Sequence, residues 1–183
     1  MMNNKRGSNI LWSETVELFS EIKNMNLTSF LCRLVEIVKS NQETINQILN
    51  EGQRNSKNLT SENEIKFFRF ITTIDPEMYV IGSTGDDFNL IVQSYISRTP
   101  KSEFEVLRRI SNLVKDIITF TSLEVCPQCN SDHLRIVTDI SNERLYRHCE
   151  TCSFTDTADE EFLRQELLIP ANIKFLKIAG YIK

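Results

Sequence analysis

The most informative segment of the chain reads Cys126-Pro127-Gln128-Cys129, then nineteen further residues, then Cys149-Glu150-Thr151-Cys152. A C-x-x-C motif makes a tight turn that directs two thiolates at one point. Two such turns joined by a hairpin complete a tetrahedron of sulfur atoms, and the gap between them has the length typical of paired turns. The spacing therefore predicts a four-sulfur metal site made by Cys126, Cys129, Cys149 and Cys152.

The residues between the two motifs have the pattern of a β-hairpin. From residue 134 to residue 139 the side chains alternate with the period of two that is typical of a strand. The alternating sets are Leu134, Ile136 and Thr138 and, between them, Arg135, Val137 and Asp139. We predict a turn at residues 141–143 and a second strand at residues 145–148, which returns the chain to the second motif.

This segment resembles a zinc ribbon of the four-cysteine kind, as found in transcription factors, polymerase subunits and adaptors. The resemblance covers residues 124–156 and implies a fold and a zinc ion, but no activity. Ribbons often have Gly after the second cysteine of each motif, where this chain has Asn130 and Ser153. Because Asn tolerates the left-handed backbone conformation, we expect a normal first turn and a less favourable second turn.

The cysteines allow other interpretations. Cys126 and Cys129 alone fit a thioredoxin-like redox pair, but the second pair favours a metal. Four thiolates also suit iron in a rubredoxin-like site, although zinc is the better fit. Because sulfur fills all four positions, we expect a structural ion with no open position for a catalytic water.

The remaining chemical groups predict no catalytic centre. His133 and His148 are the only histidines, and we interpret both as exposed hairpin residues. Cys32 lies among apolar residues and is interpreted as part of the core. The loop at residues 82–87 lacks the Lys of a P-loop. No nucleophile, base and oxyanion donor form a recognisable set, so we expect a protein without enzymatic activity.

Residues 12–122 carry a helical pattern and follow a polar tail at residues 1–11. The clearest predicted helix is the central helix of a bundle, with an apolar stripe formed by Phe104, Leu107, Ile110, Val114, Ile117 and Ile118. Glu105 and Arg109 on this helix are placed to form an ion pair. We place helix starts at Thr28 and at Thr99-Pro100, a short strand at residues 78–81, and a helix or strand at residues 88–96.

The ribbon is assigned to residues 123–157, and residues 158–183 are predicted to form a C-terminal helix and tail that pack back on the body. Thr157 and Glu160 form a capping box that opens this helix, and Pro170 is its predicted end. The predicted fold class is therefore mainly α, with a helical bundle-like domain and a C-terminal four-cysteine zinc-ribbon β-hairpin.

The charge of the chain limits the classes of partner. Its formal net charge is −4 and its pI is about 5.3. Nucleic-acid binding draws its affinity from Lys and Arg that replace phosphate counterions, and the sequence has no basic stripe. The candidate contacts to a nucleic acid are Arg108, Arg109, Arg135, Arg144 and Arg147, and acidic neighbours offset those of the ribbon.

No apolar run approaches the roughly 20 residues that span a bilayer, and residues 1–8 are polar. We therefore expect a cytoplasmic protein with no membrane partner. We predict that it binds a protein, such as a basic toxin or nuclease, as a toxin-immunity protein, an antitoxin, or a phage or defence accessory protein. The alternative is a nucleic-acid-binding zinc-ribbon regulator, which the charge disfavours.

Overall fold

Six α-helices and one four-stranded sheet make up the part of the chain that the computed structural model describes: residues 4–21, 25–54, 62–81, 92, 94–95, 97, 99–139, 144–156 and 167–183. The chain divides into two compact units. The first unit comprises Met1–Pro76 and Asp86–Val114, and the second unit comprises Glu77–Gly85 and Lys115–Lys183.

The first unit is built from amphipathic helices. In chain order the helices are α1 (Asn4–Glu21), α2 (Leu27–Ser40), α3 (Gln42–Arg54), α4 (Glu62–Thr73) and α5 (Glu103–Ile118), whose last four residues are grouped with the second unit. The α2 helix lies against α1, α3 and α4. Its buried residues recur three and four positions apart, as one face of a helix requires; they are Phe30, Leu31, Leu34, Val35 and Val38.

The predicted apolar stripe of α5 is confirmed except at Phe104, which is only partly buried. Its buried members are Leu107, Ile110, Val114, Ile117 and Ile118, and Val106 and Leu113 widen the buried face. The predicted ion pair is present, with 2.6 Å between Arg109 Nη2 and Glu105 Oε1. Burial of a face this wide means that α5 is held mainly by apolar packing.

Both predicted helix starts were wrong by a few residues. The α2 helix starts before Thr28, because Asn26 is its N-cap and accepts the backbone N–H of Ser29 at 2.8 Å. The α5 helix starts three residues after Pro100, where the Ser102 hydroxyl accepts the N–H of Glu105 at 3.2 Å. Several side chains of similar capping strength compete at each end, so sequence alone selected the wrong one.

The second unit is organised around one central strand. Its strands are β1 (Phe120–Val125), β2 (His133–Asp139), β3 (Leu145–His148) and β4 (Leu168–Pro170), and all three outer strands pair antiparallel with β2. The β3 strand occupies one edge of β2 along residues 135–138. Since a strand has only two edges, β1 and β4 share the other, where Phe120 lies opposite Ile136 and Pro170 opposite Val137.

The predicted fold class, a mainly α bundle-like domain with a zinc-ribbon β-hairpin, is wrong. The β2 and β3 strands are those of the predicted hairpin, but β1 and β4 extend them into a four-stranded sheet, so the fold is α+β. Pro170 ends no helix in the described residues and instead closes β4. An edge strand tolerates Pro because one of its backbone groups faces away from the sheet.

The predicted strand at residues 78–81 is also wrong. Pro76–Met78 is a single 3₁₀ turn, and Val80 packs against the sheet without joining it. Of residues 88–96, Val92, Ser94 and Tyr95 are helical, and the others lie outside the described residues. The loop at residues 82–87, the turn at residues 141–143 and the capping box at residues 157–160 also lie outside them.

A short C-terminal helix covers one face of the sheet. This helix, α6 (Ile173–Ile178), is capped by the Asn172 side chain, which accepts the N–H of Phe175 at 3.1 Å. Leu176 is fully buried and forms a cluster with Ile136 of β2 and Ala171. The sheet therefore has an apolar cluster of its own on this face.

Candidate metal centre

The structure brings together the four cysteines that the spacing predicts. Their sulfur atoms all lie within 4.8 Å of one another. The Cys126 and Cys152 sulfurs are 3.6 Å apart, and those of Cys129 and Cys149 are 3.7 Å apart. A tetrahedral ion with metal–sulfur bonds of 2.3 Å requires an edge of about 3.8 Å. The cysteines are free rather than disulfide-bonded, so this arrangement fits a tetrahedral metal ion.

The backbone of the first motif directs its two thiols inwards. The Cys126 N–H donates to Asp132 O at 2.8 Å, and the Asn130 N–H donates to Cys126 O at 3.0 Å. Asn130 adopts φ = 52°, in the left-handed region that Asn tolerates. The motif therefore closes as a tight turn.

In the second motif too, the first cysteine donates to a later carbonyl and the residue after the second cysteine is left-handed. The Cys149 N–H donates to Phe154 O at 2.8 Å, and Ser153 adopts φ = 61°. A serine in this region is strained by about 1–2 kcal/mol, because its Cβ approaches the following carbonyl. Both motifs therefore form turns, and the expected disadvantage of the second turn is the backbone strain at Ser153.

The four sulfur atoms differ in their surroundings. Cys126 and Cys149 are fully buried beside Leu134, and Cys129 and Cys152 are partly buried. The backbone N–H of Ser131 lowers the pKa of Cys129 to about 7, whereas burial raises the pKa of Cys152 to about 12. Burial also raises the pKa of Cys149. A bound cation would offset the cost of ionising these thiols, since metal ligation requires thiolates.

Neither histidine belongs to the cluster. In the described residues these four cysteines are the only group of three or more His, Cys, Asp or Glu side chains placed to hold a metal. His133 is exposed, as expected. The interpretation of His148 as exposed is wrong: it is partly buried, its Nδ1 lies 2.9 Å from Thr155 Oγ1, and burial lowers its pKa. Cys32 lies apart on α2 and is partly buried.

The arginines considered for nucleic-acid contacts are engaged within the protein. Four of them pair with carboxylates: Arg108 with Glu64, Arg109 with Glu105, Arg135 with Glu150 and Asp116, and Arg147 with Glu124 and Asp156. The fifth, Arg144, lies over the ring of Tyr146 at 5.8 Å. Four of these five positive charges therefore have a carboxylate close by.

An exposed apolar bulge precedes the first motif, and sequence reasoning missed it. Between residues 121 and 125, β1 advances four residues while β2 covers the two from 135 to 133. The Ser122 hydroxyl holds this bulge by donating to Leu134 O at 3.0 Å and accepting the Glu124 N–H at 3.2 Å. Leu123 is 95% exposed and Val125 is 50% exposed. The β-forming residues before Cys126 were the available signal for a strand, but not for a bulge.

Comparisons with protein-family models, with curated proteins and with solved structures found no match. None of the helices in the described part of the chain is both long and apolar enough to cross a bilayer. The assignment of the site therefore rests on its geometry.

Proposed function

We propose that the chain is a non-enzymatic zinc protein that acts by binding a protein partner with a basic surface. The four cysteines hold the ion, and the β1 bulge, residues 122–125, supplies the apolar part of the binding surface. The observation that carries the proposal is the exposure of Leu123 on a backbone held in place from both sides. A partner of toxin or nuclease type fits the acidic charge.

Zinc is the ion that suits this site best. Four-coordinate tetrahedral sites, including those made of four cysteines, are its usual structural arrangement, and the sulfur separations of 3.6 and 3.7 Å fit a tetrahedral ion of this size. With all four positions filled by cysteine, the ion has a structural role and contributes on the order of 10 kcal/mol to folding. Iron is the competing ion, and elemental analysis of the purified protein distinguishes the two.

The bulge supports partner binding because it exposes two apolar side chains and is anchored at both ends. Ser122 anchors its start to β2, and Cys126 of the metal centre follows directly after its end. Leaving a leucine side chain in water forgoes about 1.5–3 kcal/mol of burial. A partner that covers Leu123 and Val125 recovers this energy without having to order the backbone first.

The distribution of charge supports a basic partner. The first unit has 13 Lys and Arg against 13 Asp and Glu, whereas the second has 8 against 12. The second unit thus carries the whole formal charge of −4. Zinc with four thiolates adds a formal charge of about −2. Complementary charge increases the rate of association with a basic protein and disfavours a polyanion.

The proposal is tested with the proteins encoded by the adjacent genes, each co-expressed with this chain, and a basic protein is the expected partner. We expect a one-to-one complex by light scattering. We also expect Leu123→Ser to raise the dissociation constant of this complex about tenfold or more, as truncation of a central apolar anchor does. Val16→Ser, at an exposed valine of α1, is the matched control and should change nothing.

Two results would contradict the proposal. The first is binding to duplex DNA or single-stranded RNA that weakens steeply between low and moderate salt, which is the signature of phosphate contacts. The second is a stable protein complex whose affinity is the same in wild type and Leu123→Ser. That result would mean that the chain binds a protein partner but that the β1 bulge does not contribute to the binding surface.

A further inference from the structure

Glu150 occupies the second cysteine motif and contacts two other elements. Its Oε1 lies 2.8 Å from Lys115 Nζ, in the last turn of α5, and 2.9 Å from Arg135 Nη1, in β2. Arg135 Nη1 also lies 3.5 Å from Asp116 Oδ1. The two contacts of Arg135 are ion pairs rather than directional hydrogen bonds. One carboxylate therefore joins the residue after Cys149 to a helix and to the central strand.

We propose that Glu150 is a positioning residue that fixes the second cysteine motif to α5 and β2, so that metal binding and order at the end of α5 are one linked equilibrium. The inference rests on the proposed metal centre, and not on the protein partner. Groups that hold metal ligands in orientation typically change metal affinity about 10- to 100-fold when they are removed.

Both anchors of Glu150 are themselves held in place. The Thr119 N–H and hydroxyl both donate to Lys115 O, at 3.0 and 2.6 Å, which closes the last turn of α5. Arg135 lies opposite Thr121 of β1 and opposite His148 of β3, at the centre of three paired strands. The contacts are partly shielded, since Arg135 is 17% exposed and Glu150 is 29% exposed. Because the Glu150 carboxylate is held between Lys115 and Arg135, the backbone of the second cysteine motif is restricted at the residue after Cys149.

The charge of Glu150 and its role in positioning the motif have opposite effects on metal affinity. A carboxylate beside four thiolates disfavours their ionisation, so neutralising it would raise metal affinity if its charge were all that mattered. Loss of the tether would instead lower the affinity, because the second motif would have to be ordered when the metal binds. The sign of the change therefore separates the two roles.

The first test is metal affinity, measured by competition between the full-length protein and a chromophoric chelator for Zn²⁺. We expect Glu150→Gln to lower the affinity about 10-fold or more. Glu124→Gln is the matched control: it removes the same charge two residues from Cys126 and breaks a 2.8 Å pair with Arg147. An affinity for Glu150→Gln that equals or exceeds that of Glu124→Gln would overturn the inference.

The second test is hydrogen exchange at the Thr119 amide, which reports on the last turn of α5. In the wild type we expect zinc removal to speed this exchange. In Glu150→Gln the zinc-loaded protein should exchange faster at Thr119 than the zinc-loaded wild type does. Lys115→Met should behave like Glu150→Gln, and Lys115→Arg should restore both affinity and protection, because it retains a cation within reach of Glu150.

The outcomes separate this inference from the metal proposal. A wild type that binds no zinc or iron contradicts the proposed centre and the inference with it. The inference alone is contradicted if the wild type binds zinc tightly but the exchange rate at Thr119 changes neither on zinc removal nor in Glu150→Gln.

Discussion

The first unit and the second unit obtain their stability from different sources. Ten of the twelve largest fully buried side chains in the described residues belong to the first unit. The described part of the second unit contains two small clusters, one of Cys126, Leu134 and Cys149 and one of Ile136, Ala171 and Leu176, and its other buried apolar residues include Val137, Tyr146 and Ile169. A unit of this size often needs a metal or a disulfide in addition to its apolar core. We therefore expect apolar packing to stabilise the helices and the proposed metal ion to contribute to the stability of the sheet.

Metal removal should produce the largest difference in stability between the two units. We expect a strong chelator, or Cys149→Ser, to unfold the sheet, because it removes a contribution on the order of 10 kcal/mol. The α2 helix should keep its protection, since no predicted ligand lies in the first unit. Hydrogen exchange read by mass spectrometry, on peptides from α2 and from β2, measures both effects.

Cys32→Ser is the control for this experiment, because Cys32 is a free cysteine of α2 outside the cluster. It should leave metal content and β2 protection unchanged. Retention of β2 protection after verified metal loss would show that the sheet does not need the ion.

A cavity in the helical core should give the opposite result. Leu34 is fully buried in α2, and Leu34→Ala should lower the free energy of unfolding of the first unit by about 2–5 kcal/mol. Zinc affinity should not change. Urea unfolding followed by exchange at α2 measures the loss, and Glu36→Ala, at an exposed position of the same helix, is the control. A parallel fall in zinc affinity would mean that the two units are not independently stabilised.

A smaller effect is expected at the strained turn of the second motif. Ser153→Gly should stabilise the zinc-loaded second unit by up to about 1 kcal/mol, because glycine removes the left-handed strain but raises the entropy of the unfolded chain. Asn130→Gly, at φ = 52°, should give less, since Asn tolerates this conformation. Exchange at β2 in increasing urea measures both changes. Equal gains would mean that Ser153 is no more strained than Asn130.

Local patterns determined what could be predicted. The C-x-x-C spacing brings each pair of thiols together over four residues, and the alternation at residues 134–139 marks β2 without reference to distant contacts. The stripe of α5 was equally readable, because its period is set by the helix itself. The amino-acid sequence therefore identified the cysteine cluster, the two hairpin strands and the main helix.

Only the tertiary structure decided the features that need a distant partner. Three residues of β4 carry no periodic signal, and Leu168–Pro170 is a strand because β2 offers it an edge. The exposure of Leu123 follows from a register shift between two strands. The tether from Glu150 joins positions 35 residues apart, Lys115 and Glu150. Each of these three features depends on contacts between backbone groups or charges that are distant in sequence. No local pattern of residues specifies such contacts.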